Sequence, residues 1–132
     1  MKFASVRLIA ADINAMVAFY ELVTGQTAEW LAPQFAEIVT PGATLAIGST
    51  ETVAIFAENS AMPGANRTAI LEFMVEDVDA VVDRLSGTCA LVHAPKLLPW
   101  GNRTFQVRDP EGSAISIFMP FTDAAKARFG LR

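Results

Sequence analysis

The sequence predicts an α+β protein built from two tandem copies of one βαβββ unit. Apolar and polar residues alternate with period two over Phe3–Ala11 and again over Ala69–Val75, and behind each run the apolar spacing switches to that of a helix. Landmarks recur at a nearly fixed offset: Asp12 and Asp77 stand 65 positions apart, Gly42 and Gly112 stand 70 apart. After each helix come three short extended runs separated by turn residues. A period of this length exceeds that of solenoid repeats and points to two copies of one folding unit.

The elements follow in order. In the first strand Val6, Leu8 and Ala10 fall on one face and Ser5, Arg7 and Ile9 on the other. From Asn14 to Thr24, Met16, Val17, Phe19, Tyr20 and Val23 form a helical stripe, Asp12 or Asn14 is placed to cap its start, and Gly25 to end it. Thr27–Leu31, Phe35–Thr40 and Thr44–Ile47 read as strands, divided by Ala32-Pro33-Gln34 and Pro41-Gly42. The polar, Gly/Pro-containing stretch near 49–66 reads as a linker. In the second unit Leu71, Phe73 and Val75 oppose Ile70, Glu72 and Met74. Asp77 or Asp79 opens a helix carrying Val78, Val81, Val82 and Leu85. Cys89–His93, Thr104–Arg108 and Ala114–Met119 are the remaining strands, the last two joined by Asp109-Pro110-Glu111-Gly112, and Thr122–Phe129 is a short C-terminal helix. The expected organisation is one domain over 1–132: unit one at about 1–48, the linker at about 49–66, unit two at about 67–120, the final helix at about 121–130.

Composition narrows the function classes. With 52% hydrophobic residues in 132, the chain has enough apolar side chains for a core, which excludes a disordered protein. One Cys, Cys89, and one His, His93, supply neither a disulfide nor a Cys/His zinc cluster. A net charge of −4 without a Lys/Arg cluster gives no footprint for nucleic acid. No apolar run approaches the roughly 18 residues of a membrane span, and the N-terminal segment lacks the long apolar core of a signal peptide. A cytoplasmic protein is expected, with a small organic molecule and a second copy of the chain as partners. The glycines are scattered singly, so no phosphate loop or dinucleotide fingerprint is present.

The residues resemble those of the vicinal oxygen chelate superfamily, which includes glyoxalase I, extradiol dioxygenases and bleomycin-resistance proteins. The resemblance is carried by Asp12, Phe19-Tyr20-Glu21 and Gly25, then by Leu71 to Asp79, Pro99-Trp100-Gly101-Asn102-Arg103, and Arg108-Asp109-Pro110-Glu111-Gly112. It implies a curved mixed sheet with the helices outside and a ligand cavity within, commonly in a homodimer. Metal enzymes of that family draw ligands from the first and fourth strands of each unit. Those positions fall here on Ser5, Ala46, Ile70 and Ser116, none of which is a His, Glu or Gln. A divalent metal needs about three nitrogen, carboxylate or thiolate donors, so the resemblance implies the branch without metal and without a cofactor.

Arg7, Trp30, Glu72, Trp100 and Gln106 are the candidate ligand contacts. Arg7 and Glu72 hold equivalent places in the two repeats, and read either as an ion pair joining the units or as charged handles at the cavity floor. The two indoles, Trp30 and Trp100, suit a planar ligand, or else core or dimer packing. Gln106 alternates with Phe105 and Val107, which face the helix. Three functions follow: a binding protein of the bleomycin-resistance type that sequesters an antibiotic or aromatic metabolite; a metal-independent lyase or isomerase with Glu72 or His93 as base; or a dimeric domain with no substrate of its own.

Overall fold

The structure, a computed structural model, describes residues 1–131. The chain divides into two compact units: Met1–Arg67 with the hairpin tip Pro110–Gly112, and Thr68–Asp109 with the segment from Ser113 onward. Within the first, the backbone N–H of Ala11 donates to Glu111 Oε1 at 2.7 Å.

The first unit runs β1 (Ser5–Ala10), α1 (Ile13–Thr24), β2 (Glu29–Ala32), β3 (Phe35–Val39), β4 (Thr44–Ser49) and a short helix α2 (Glu51–Ala54). The second runs β5 (Leu71–Met74), α3 (Val78–Leu85), β6 (Leu91–Leu97), β7 (Asn102–Arg108), β8 (Ala114–Pro120) and α4 (Asp123–Arg128). The expected curved mixed sheet is present as two separate four-stranded sheets, in the orders β1-β4-β3-β2 and β5-β8-β7-β6. In each, the first strand runs parallel to the last, and the other pairs are antiparallel. This is what a βαβββ chain must do: the helix carries it across one sheet face, and a three-stranded meander returns it beside its first strand.

Local chemistry sets the helix ends. Asp12 and Asp77 both sit in extended conformation as N-caps. Asp12 Oδ1 accepts from the Ala15 N–H at 3.1 Å, and Asp77 Oδ1 from those of Asp79 and Ala80 at 3.0 and 3.2 Å, which satisfies amides the first turn leaves open. Gly25, at φ +69°, closes α1 by donating its N–H to the Glu21 carbonyl.

Each helix buries its stripe on one sheet face. In the first unit Met16, Val17, Phe19, Tyr20 and Val23 are buried, as are Ala36, Ile38, Leu45 and Ile47 of the sheet. Phe19 and Tyr20 meet edge to face with centroids 5.0 Å apart. In the second, Val78, Val81 and Leu85 are buried with Phe105, Val107, Ile115 and Ile117. The opposite face of each sheet carries the polar residues of interest.

Two expected elements differ. The stretch near 49–66, expected as a linker throughout, opens with α2, because Thr52 Oγ1 donates to the Ser49 carbonyl at 2.7 Å and Val53 is buried. The expected strand Cys89–His93 instead begins at Leu91 and runs on to Leu97. Thr88 Oγ1 bonds the Leu85 carbonyl at 2.7 Å, which keeps residues 86–89 in the closing turn of α3. β6 tolerates Pro95 because it is the outer strand of its sheet, where a missing N–H costs no ladder bond.

Candidate functional site: a polar row across the second sheet

Strand register places four polar side chains in one row on the open face of the second sheet. Glu72 of β5 pairs with Ser116 of β8, Ser116 with Gln106 of β7, and Gln106 with His93 of β6. Paired residues project to the same side, and Phe105 and Val107, between which Gln106 lies, are buried on the α3 side. Arg103 also belongs to that side, where its Nη2 meets Asp79 Oδ1 of α3 at 2.9 Å.

The row is ordered by its own contacts. Gln106 Nε2 donates to Ser116 Oγ at 2.8 Å, and Ser116 is 3% exposed. His93 Nδ1 lies 2.8 Å from the Ala94 carbonyl. A carbonyl only accepts, so Nδ1 is the donating nitrogen of this contact and Nε2 takes no part in it. Two register shifts flank His93, one toward Leu91 and one toward Lys96. Without the first, His93 would share a face with Leu91, which pairs with Val107 on the α3 side; the bulge turns the imidazole to the open face. From the sequence alone His93 stands at the end of a strand, and nothing there brings it into this row. Pro95, a residue that favours bulges and outer strands, was the one local signal.

The first sheet carries the equivalent row: Arg7 beside Ala46, Ala46 beside Glu37, Glu37 beside Glu29. The Arg7 guanidinium lies over the Phe56 ring, 4.5 Å from its centroid, so α2 and the turn after it also shape this face. Trp30 pairs with Ala36, which pairs with Ile47, and therefore lies on the α1 side, away from Arg7. Trp100 lies in the turn between β6 and β7 and is exposed. It lines a groove of about 580 Å³ with Leu97, Thr122 and Arg128, and Arg128 Nη2 donates to its carbonyl at 3.1 Å. A second groove, of about 420 Å³, is lined by Met74, Glu76, Met119, Pro120 and Lys126. Of the five candidate contacts the structure brings Glu72 and Gln106 into one row, with His93 and Ser116 added. Trp30 stands on another face, and neither of these grooves is lined by a member of the row.

A family model described as the Glyoxalase/Bleomycin resistance protein/Dioxygenase superfamily matches residues 2–117. The chain belongs to this superfamily. Among solved structures it resembles a glyoxalase-related enzyme from Fulvimarina pelagi, with TM-score 0.76 and 20% identity over 90% of this chain and 88% of that one. It also resembles a glyoxalase/bleomycin resistance protein/dioxygenase family enzyme from Burkholderia phytofirmans PsJN, with TM-score 0.73 and 23% identity over 92% and 100% of the two chains. A protein of unknown function from Agrobacterium tumefaciens str. C58 gives TM-score 0.74 and 26% identity over 90% and 94%. No curated protein matches the chain.

Superfamily membership raises the question of a metal. Ala46 and Ile70 offer no donor atom, Ser5 offers only a hydroxyl, and Ser116 Oγ is engaged by Gln106. Among the described residues no group of three or more His, Cys, Asp or Glu is gathered to hold an ion. These residues do not fit the donor set of a divalent centre. Among them, too, no helix is long and apolar enough to cross a membrane.

Proposed function

We propose that this protein binds a small planar organic molecule on the open face of its second sheet without using a metal, and sequesters it in the manner of bleomycin-resistance proteins. The observation that carries this reading is the row Glu72, Ser116, Gln106 and His93. It places four hydrogen-bonding groups across a sheet face of the unit whose positions for metal ligands, by the resemblance, hold Ile70 and Ser116. The next row along begins with the exposed Met74, paired with a buried Phe118. Few polar groups set against apolar ones is the usual make-up of a small-molecule site. A cytoplasmic homodimer remains the expected form, which sedimentation velocity on the purified protein reads directly.

Isothermal titration with metal-free bleomycin and with neutral bicyclic aromatics tests the reading, alongside elemental analysis of protein purified without chelator. Binding of at least one class that Gln106→Leu weakens supports it. Stoichiometric zinc, iron or manganese, or binding that ignores Gln106, overturns it.

A second reading is favoured by one specific contact. The bond from His93 Nδ1 to the Ala94 carbonyl leaves Nε2 outside that contact, on the same row as Glu72. This suits a metal-independent lyase or isomerase with His93 or Glu72 as base.

A further inference from the structure

Away from the polar row, the groove of about 580 Å³ beside the β6–β7 turn has a chemistry of its own. Trp100 and Leu97, 58% and 53% exposed, line it together, so they form one apolar patch rather than scattered surface residues. The turn that presents the indole is tied on both sides. The Leu98 N–H donates to the Asn102 carbonyl at 2.8 Å, and the Gly101 N–H to the Leu98 carbonyl at 2.9 Å. The Gly101 carbonyl accepts from the N–H groups of Phe121 and Thr122, at 2.9 and 3.1 Å. Pro99 fixes its own φ just before Trp100. The indole is therefore exposed from an ordered backbone.

From α4 the groove receives Arg128, which among the described residues is the one charged side chain that lines it. Two contacts place the guanidinium. Its Nη2 donates to the Trp100 carbonyl at 3.1 Å, and its Cζ lies 5.4 Å from the centroid of the Phe129 ring. The first contact uses one of five N–H groups. None of the described carboxylates stands within ion-pair distance of Arg128. A guanidinium is a planar fork of donors that matches the two oxygens of a carboxylate, so the complement of this cation is a carboxylate from outside the chain. Beside an exposed indole and a leucine, the remainder of such a ligand is a flat apolar ring. A volume of about 580 Å³ falls in the range of small-molecule sites.

We propose that Trp100 and Arg128 form a second binding site, for a planar aromatic monocarboxylate whose ring lies on the indole and whose carboxylate meets the guanidinium. It is independent of the row Glu72, Ser116, Gln106 and His93, none of which lines this groove.

The test is a proton–nitrogen correlation spectrum of the full chain, titrated with 2-naphthoate and with 2-naphthamide, its uncharged counterpart. The chain has two tryptophans and so two indole N–H signals, which Trp30→Phe tells apart. Naphthoate is expected to move the Trp100 signal saturably, with an affinity about fivefold above that of the naphthamide, the margin of an exposed ion pair. Arg128→Gln removes that margin, and Arg128→Lys, which keeps the charge without the fork, retains part of it. Raising sodium chloride from about 0.05 to about 0.5 M narrows the margin in wild type itself, so the test stands even where a variant fails to fold. The backbone amide pattern of each variant reads its fold. A Trp100 signal that stays still while other signals move marks binding elsewhere and overturns the site, as does a spectrum that neither compound changes. Equal affinities of the two compounds at the Trp100 signal, or a margin that ignores both salt and Arg128→Gln, overturn the role of Arg128 and the proposal with it.

Discussion

Gln106 and Ser116, ten residues apart on the two arms of the β7–β8 hairpin, are joined by a 2.8 Å hydrogen bond from Nε2 to Oγ. Ser116 is almost fully buried and Gln106 half-buried. The bond fixes the glutamine amide in the middle of the polar row and engages the serine oxygen. Removing the acceptor therefore affects both stability and the site. Ser116→Ala is expected to lower unfolding free energy by about 1 kcal/mol, because the Gln106 N–H loses its partner in a half-buried place. Urea denaturation measures it; an unchanged midpoint would show that water replaces Ser116 at no cost.

Glu72 and His93 stand at opposite ends of that row, and substitution separates binding from catalysis. If the protein only binds, Glu72→Gln and His93→Gln keep affinity for an aromatic ligand within a few-fold. If it is a lyase or isomerase, the variant lacking the base loses roughly 100-fold or more in kcat while KM changes little. The assay is turnover of any substrate found for the wild type, run beside calorimetry on both variants. Wild-type activity that both substitutions leave intact would remove these residues as bases.

Gly101 and Gly42 predict opposite tolerance to a methyl group. Gly101 adopts φ +92°, and a Cβ there would overlap Thr122 Oγ1 and press on Ala125 Cβ. Gly42 has nothing within 4 Å of the same position. Gly101→Ala is expected to destabilise by about 2–3 kcal/mol, combining backbone strain with the clash. Gly42→Ala should stay within about 1 kcal/mol of wild type. Thermal unfolding of the two variants side by side decides it, and equal melting temperatures would contradict the packing of α4 against this turn.

Asp12 and Asp77 cap equivalent helices. Asp77→Ala leaves the Asp79 and Ala80 amides without their acceptor, and Asp12→Ala does the same to Ala15. Each is expected to cost about 1 kcal/mol, and Asn at either position about half that or less. Guanidinium denaturation of the four variants checks the ranking; alanine variants as stable as their asparagine counterparts would remove the caps as a cause.

The Arg7 guanidinium over Phe56 is an exposed contact. A double-mutant cycle on Arg7→Ala and Phe56→Leu is expected to give a coupling of about 0.5–1 kcal/mol. Zero coupling would leave Arg7 on the open face without that restraint.

Much of the fold was legible from short-range chemistry. The alternation in β1 and β5, the capping aspartates, Gly25 in its left-handed turn and the recurrence of these marks all act within a few residues, so the sequence alone determined two βαβββ units and the apolar faces of β1 and β5. It also shows no His, Glu or Gln at Ser5, Ala46, Ile70 and Ser116, the positions that the resemblance assigns to metal ligands. Register across strands lies beyond that range, because it depends on where a strand starts and where it bulges. Only the tertiary structure turned His93 onto the face of Gln106, by shifting β6 one residue against β7. The same kind of pairing, Trp30 against Ala36, set that indole on the α1 side. The meeting of Trp100 with Arg128 in one groove was likewise invisible beforehand. A turn and a helix 28 residues apart come to line the same groove only when packing brings them together, and residues distant in sequence decide that.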